Sequence, residues 1–205
     1  MRKVDIIKSY YENNMKNASQ DYEVLGWESE EAQKMRFDML VSNVALEGKR
    51  ILDVGCGLGN LLEYINNQGI PVDYTGIDVL PEMIERAKKK GLPGEFLCAD
   101  LFKENPFGEK SFDVIYASGI FNLNLGNNKE FLASALTLFI KLARKSLCFN
   151  LLHCNSTSKE DTYYYFCPDQ VIRIIEEIWP DGNVTVQVIE QYLQNDFTVI
   201  CSVKE

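Results

Sequence analysis

The segment Ile51-Leu52-Asp53-Val54-Gly55-Cys56-Gly57-Leu58-Gly59-Asn60 restricts the fold more than any other part of the chain. Its apolar opening is too short for a helix and runs into glycines, so it reads as a buried strand over 50–54. The glycines allow a tight turn and a close approach of backbone to a ligand. A helical pattern follows over 60–68, with Leu61, Leu62 and Ile65 on one face and Gly69 as its stop. Strand, glycine turn and helix in that order set a binding loop at the carboxyl end of a strand in an α/β sheet.

The alternation continues down the chain. Residues 72–77 predict a second strand. A helix over 81–90 carries Pro81 at its first position, Glu82 at its positive end, lysines at its negative end and Gly91 beyond it. Strands are expected at 95–98, 112–117 and 146–152, with a long helix at 129–144 and another at 168–179. Near the end, Val184, Val186 and Val188 recur at period two, as do Phe197, Val199, Cys201 and Val203. That pattern predicts an antiparallel hairpin, whereas the earlier strands read as buried on both faces. The expected architecture is a three-layer α/β sandwich.

Before residue 48 the pattern is helical, with Ser29 as a cap and Ala32, Met35, Met39 and Leu40 sharing a face. This stretch is too short to fold alone. The expected organisation is one domain over 1–205, in which residues 1–45 form a helical lid and 48–205 the Rossmann-like core.

Charge narrows the function. With 21 Lys and Arg against 30 Asp and Glu, the formal net charge is −9. Phosphate backbones are bound by neutralisation with Lys and Arg, so nucleic acid is not an expected partner. No apolar run is long enough for a membrane span, and the amino terminus shows no secretory pattern, so a cytoplasmic location is expected. The six cysteines form no C-x-x-C and the chain has a single histidine, which predicts no metal site. Most of the cysteines are expected to be small buried hydrophobes in a reducing compartment.

Acidic residues follow the strands in order. The glycine spacing is G-x-G-x-G rather than the dinucleotide G-x-G-x-x-G, and Asp53 stands two residues before the first glycine. A carboxylate there is unhelpful beside a pyrophosphate but suits an ammonium or sulfonium group. Asp78 ends the second strand, where a carboxylate can accept from both hydroxyls of a ribose. Asp100 in Cys98-Ala99-Asp100-Leu101 ends the third, placed to meet an adenine edge. Ala117-Ser118-Gly119 ends the fourth and opens a loop over the site.

With these motifs the chain resembles the class I S-adenosylmethionine-dependent methyltransferases over roughly residues 48–152, in a small bacterial form with unassigned substrate. The resemblance implies a sheet order 3-2-1-4-5-7-6 with strand 7 antiparallel. It also implies S-adenosylmethionine as cofactor, with Gly55 and Gly57 at its methionine moiety, Asp78 at its ribose, and Asp100 with Leu101 at its adenine. Cys56, Val79, Ala117 and Ser118 count as further cofactor contacts. The family's N/D-P-P-Y/F signature for planar nitrogens is absent, and Ser118 to Asn122 stand in its place. The expected reaction is methyl transfer to a small-molecule acceptor. An NAD-dependent oxidoreductase and a cofactor-binding accessory protein without turnover are the alternatives.

Other residues carry weaker expectations. Trp27 supplies apolar cover for the cofactor. Arg36 either snorkels past the core edge or pairs with a carboxylate such as the cofactor's. Asp113 is expected at a neighbouring helix rather than the ligand. His153 and Tyr164 are the candidates for a general base, with the run Tyr163 to Phe166 as a wall of the acceptor pocket or as plain core. The acceptor itself, and the choice between monomer and homodimer, stay open.

Overall fold

The computed structural model describes residues 3–204. Its elements in chain order are α1 (Lys3–Asn17), α2 (Asp21–Val24), α3 (Glu30–Asn43), β1 (Arg50–Val54), α4 (Asn60–Asn67), β2 (Asp73–Asp78), α5 (Pro81–Lys89) and β3 (Glu95–Cys98). They continue with β4 (Phe112–Ala117), α6 (Asn128–Leu142), β5 (Ala143–Leu152), α7 (Pro168–Ile178), β6 (Val184–Ile189) and β7 (Asp196–Val203). The strands form one sheet in the order β3-β2-β1-β4-β5-β7-β6. β7 runs antiparallel to both β5 and β6, and the other neighbours are parallel. This is the expected order, closed by the expected hairpin.

Alternate strand residues feed two cores on opposite faces of the sheet. One holds Leu52, Val54, Ile115, Leu147 and Phe149 beneath α6 and α7, through Leu132, Leu136, Phe139, Val171 and Ile175. The other holds Ile51, Tyr74, Phe96, Val114 and Tyr116 beneath α3, α4 and α5, through Phe37, Leu40, Leu61, Ile65 and Ile84. These are the three layers. A third, smaller cluster joins Val24 to Leu58, Leu80 and Met83, with Tyr11, Met15 and Leu25 against it. It seats α1 and α2 on the glycine loop and the start of α5.

Several local expectations shift. The helix foreseen over 129–144 ends at Leu142, and β5 begins at Ala143 instead of 146. No glycine or proline marks that junction, but Ala143 pairs with Phe112 across the sheet. Both strands of the hairpin alternate in sequence, yet β7 is buried from Asp196 to Cys201, because it lies between two strands. In α3, Ser29 caps as expected by accepting from the Ala32 amide. The buried face, however, carries Gln33, Arg36 and Phe37 with Ala32 and Leu40, while Met35 and Met39 are only partly covered. Asp113 accepts from the Arg50 amide at the start of β1, not from a helix. Among the cysteines, Cys56, Cys148 and Cys201 are buried as expected. Cys98 is exposed, and Cys154 is joined to Cys167 by a disulfide that closes the segment between β5 and α7.

The Arg36 side chain explains the displaced face of α3. Its guanidinium pairs with Asp196 at the head of β7, donates to the Ala32 carbonyl at 2.6 Å and lies 4.3 Å from the Trp27 ring. Asp196 also accepts from the Asn150 amide at 3.0 Å. Burial pushes the Asp196 carboxyl up, and the guanidinium and amide pull against it. A buried charge left without its partner costs about 3–5 kcal/mol, whereas replacing both partners by apolar groups can be neutral. Asp196→Ala should therefore lose about that much stability in urea unfolding. The double variant Arg36→Met with Asp196→Leu should recover most of it.

Candidate functional site

The carboxyl ends of β1 to β4 and helices α1 to α3 enclose a cavity of about 250 Å³. Its floor is the glycine loop. Gly55 and Gly57 both have positive φ, +74° and +52°, which few side chains accept. A Cβ at Gly55 would collide with Ile120 of the loop after β4, and one at Gly57 would stand 2.6 Å from Leu25. Glycine is thus required both by the turn and by the close approach of the segments that roof the cavity.

Asp78 ties the loop together. One carboxylate oxygen accepts from the Gly57 amide at 3.0 Å and the other from the Leu80 amide at 2.9 Å. A carboxylate has about four lone-pair sites, so these two bonds leave acceptor capacity facing the cavity. Burial pushes its pKa up, against the pull of those amides. Asp53 is more deeply placed, with only 3% of its surface exposed, and it accepts from the Tyr74 hydroxyl at 2.6 Å. Burial raises its carboxyl to about 7, the tyrosine bond opposing and the charge of Asp78 adding. Asp100 accepts from the Phe102 amide at 3.1 Å, which fixes the turn after β3.

Trp27, Asp53, Gly55, Cys56, Gly57, Asp78, Val79, Asp100, Leu101 and Ser118 all lie on the cavity lining. Four sequence candidates do not. The Ala117 side chain belongs to the apolar core beside β5. Arg36 lies behind Trp27, committed to Asp196, so its guanidinium is not turned toward the cavity. His153 accepts from the Asn155 amide through Nδ1 and bonds Glu190 through Nε2, beyond β5. Tyr164 stacks on Phe166 and its amide donates to the Asn122 carbonyl. Neither proposed base reaches the lining.

Sequence reasoning passed over Asn60 and the contributions of α1. Asn60 begins α4 on the lining; its amide donates to Asp21, while its buried Oδ1 has no partner among the described residues. It stood in plain view after Gly59. Val4, Ile7 and Tyr11 also line the cavity, and their spacing of three and four is a helical stripe that the sequence displayed.

Fold and cavity define a ligand-binding protein of the Rossmann-like α/β class. Comparison with known proteins refines this. Residues 51–139 match the family described as "Methyltransferase domain". A Mycobacterium tuberculosis protein named "Putative methyltransferase Rv1506c" is 30% identical over 159 residues, 73% of this chain and 90% of that protein. Ubiquinone biosynthesis O-methyltransferase of Xylella fastidiosa is 47% identical over 58 residues, 28% of this chain and 23% of the enzyme. Among solved structures, magnesium protoporphyrin IX methyltransferase of Synechocystis with bound S-adenosylhomocysteine superposes with a TM-score of 0.67. Its identity is 14%, over 99% of this chain and 100% of that one. The chain belongs to the class I methyltransferases.

The family's cofactor, S-adenosylmethionine, fits the residues present. A buried carboxylate at Asp53, a partly buried one at Asp78 and a partnerless buried amide oxygen at Asn60 suit a ligand that brings an ammonium, a sulfonium and hydroxyl donors. The carboxylates also set a pH dependence. Asp53 has a folded pKa of about 7. Its unfolded value is about 3.9, so its ionisation opposes folding. The contribution of Asp53 to the stability of the ligand-free protein should fall as pH rises from about 4 through about 7, and Asp53→Asn should lack that component in melts across the range. A cationic ligand favours the ionised form, so its affinity should rise over the upper part of the same window.

Proposed function

We propose that the protein transfers a methyl group from S-adenosylmethionine to a small-molecule acceptor by in-line displacement. The observation that carries this reading is the glycine loop set between Asp53 and Asp78 on one cavity wall. When bound, the cofactor supplies a methyl carbon activated by a positive sulfur, which keeps the bonding pair as the acceptor's lone pair attacks. Asp53 then faces the ammonium end, Asp78 the ribose hydroxyls, and Asp100 with Leu101 the adenine. Trp27 and Tyr11 exclude water over them. Such a transfer rests mainly on holding the reacting atoms in line, a task for a rigid loop and fitted walls. That no histidine lines the cavity is compatible with this.

The amino-terminal segment divides on this reading. α3 is built into the sheet's apolar face, while α1 and α2 rest on the smaller cluster and form the lid. Closing it strengthens electrostatics inside by removing water. Asp21 anchors it through Arg86 on α5 at 3.5 Å and Lys90 just past that helix at 2.8 Å.

S-adenosylmethionine or S-adenosylhomocysteine at about 100-fold over its Kd should raise Tm by roughly 5–11 °C. NAD should not. Asp78→Ala should weaken S-adenosylhomocysteine binding in calorimetry by about 2–4 kcal/mol while the far-ultraviolet spectrum stays native. A shift with NAD alone, or unchanged affinity in the variant, would overturn these assignments. Amide exchange should slow between Val4 and Trp27 when S-adenosylhomocysteine binds. Slow exchange there with or without it would make the segment a fixed cap.

A further inference from the structure

Resting on that reading, the chemistry of the cavity's outer half identifies the acceptor class. The inner half, at the ends of β1 and β2, holds Asp53 and Asp78, while Asp100 lies further out and accepts from the Phe102 amide. The outer half lies between α1 and the segment that runs from β4 into α6. Its walls are Val4 and Ile7 on one side and Ile120, Leu123, Leu125 and Phe131 on the other. Among the described residues no lysine, arginine or histidine lines the cavity. A phosphate or carboxylate on the acceptor would find no described lysine, arginine or histidine along these walls. Burying an unpaired charge is strongly unfavourable, and like charges nearby add to the cost.

A second observation points outward from the same walls. Val4 and Phe102 are the exposed large hydrophobic side chains among the described residues, at 39% and 40%. Both belong to this cavity's lining. Phe102 stacks edge-on against Phe131, with centroids 5.0 Å apart, so it is held in place at the mouth. Single exposed hydrophobes scattered over a surface are ordinary, but here both fall on the rim of one cavity. An acceptor confined to the interior would leave this rim in water. One whose apolar body continues past the rim would cover it.

We infer that the acceptor is an uncharged, largely apolar molecule that presents its nucleophile to the interior and leads an alkyl chain or ring system out over Val4 and Phe102. Contacts along the way are apolar, so affinity grows with chain length by about threefold to fourfold for each methylene buried.

Calorimetry on the full chain saturated with S-adenosylhomocysteine tests this with 4-hexylphenol, 4-hexylbenzoate and phenol. The neutral hexylphenol should bind with one-to-one stoichiometry and at least tenfold more tightly than either the anionic benzoate or the chainless phenol. Val4→Asp, at an exposed helical position, should weaken hexylphenol at least tenfold more than it weakens S-adenosylhomocysteine, and Phe102→Ser gives a second check. Benzoate binding as tightly as the phenol, or hexylphenol binding unaffected by both variants, overturns the inference. Failure of S-adenosylhomocysteine itself to bind would instead overturn the cofactor reading beneath it. The two failures are read from separate titrations.

Discussion

The buried bond between Arg36 and Asp196 holds together parts of the chain that local structure would leave apart. It joins a helix that precedes the sheet to the last strand, and through the Asn150 amide it reaches β5. The same Asn150 accepts from the Gly119 amide at 3.3 Å, in the loop that roofs the cavity. Trp27, stacked over the guanidinium, touches the position where Gly119 would carry a Cβ. One ion pair thus sets α3, the sheet's antiparallel end and the loop after β4 against one another. Desolvating two charges is costly, and their attraction offsets it only with good geometry and further hydrogen bonds. Here the Ala32 carbonyl and the Asn150 amide provide those bonds. The interaction therefore adds definition to the roof more than net stability.

Its length in sequence, 160 residues, also explains why it could not be read from the chain. Arg36 looked misplaced on an apolar helical face, and a cofactor carboxylate was a reasonable partner. The actual partner lies at the head of a strand whose alternation pointed to a half-exposed hairpin. What sequence displays is local: the cap at Ser29, Pro81 opening α5, the glycine loop, and an acid at the carboxyl end of each of the first three strands. Those features were sufficient for the strand order once they matched a known pattern. Residues brought in by tertiary contact were legible only in part. Val4, Ile7 and Tyr11 showed a stripe, but nothing local says which surface a stripe covers. The Cys154 and Cys167 pairing and the retreat of His153 to Glu190 are of the same kind, since both depend on how the segment after β5 folds back.

Placement of the acids gives the cavity its sense. Asp53 and Asp78 sit where burial makes ionisation unfavourable, and each has only part of the hydrogen bonding a carboxylate can use. A fold selected for stability alone would fill such positions with apolar side chains, as it does at Leu52 and Ile77 beside them. Keeping two acids there lowers the stability of the ligand-free protein and stores the difference as affinity for a cation with hydroxyl donors. Between α1 and residues 120–131 the described lining is apolar, with Asp100 beside Phe102 at its edge. One cavity therefore holds two unlike environments within a few side chains of each other. On the proposed reading a sulfonium would lie at their boundary, with the ammonium and ribose drawn to the acids and the methyl turned to the apolar side. Polarity along the cavity, rather than a dedicated base, would then orient donor and acceptor toward one another.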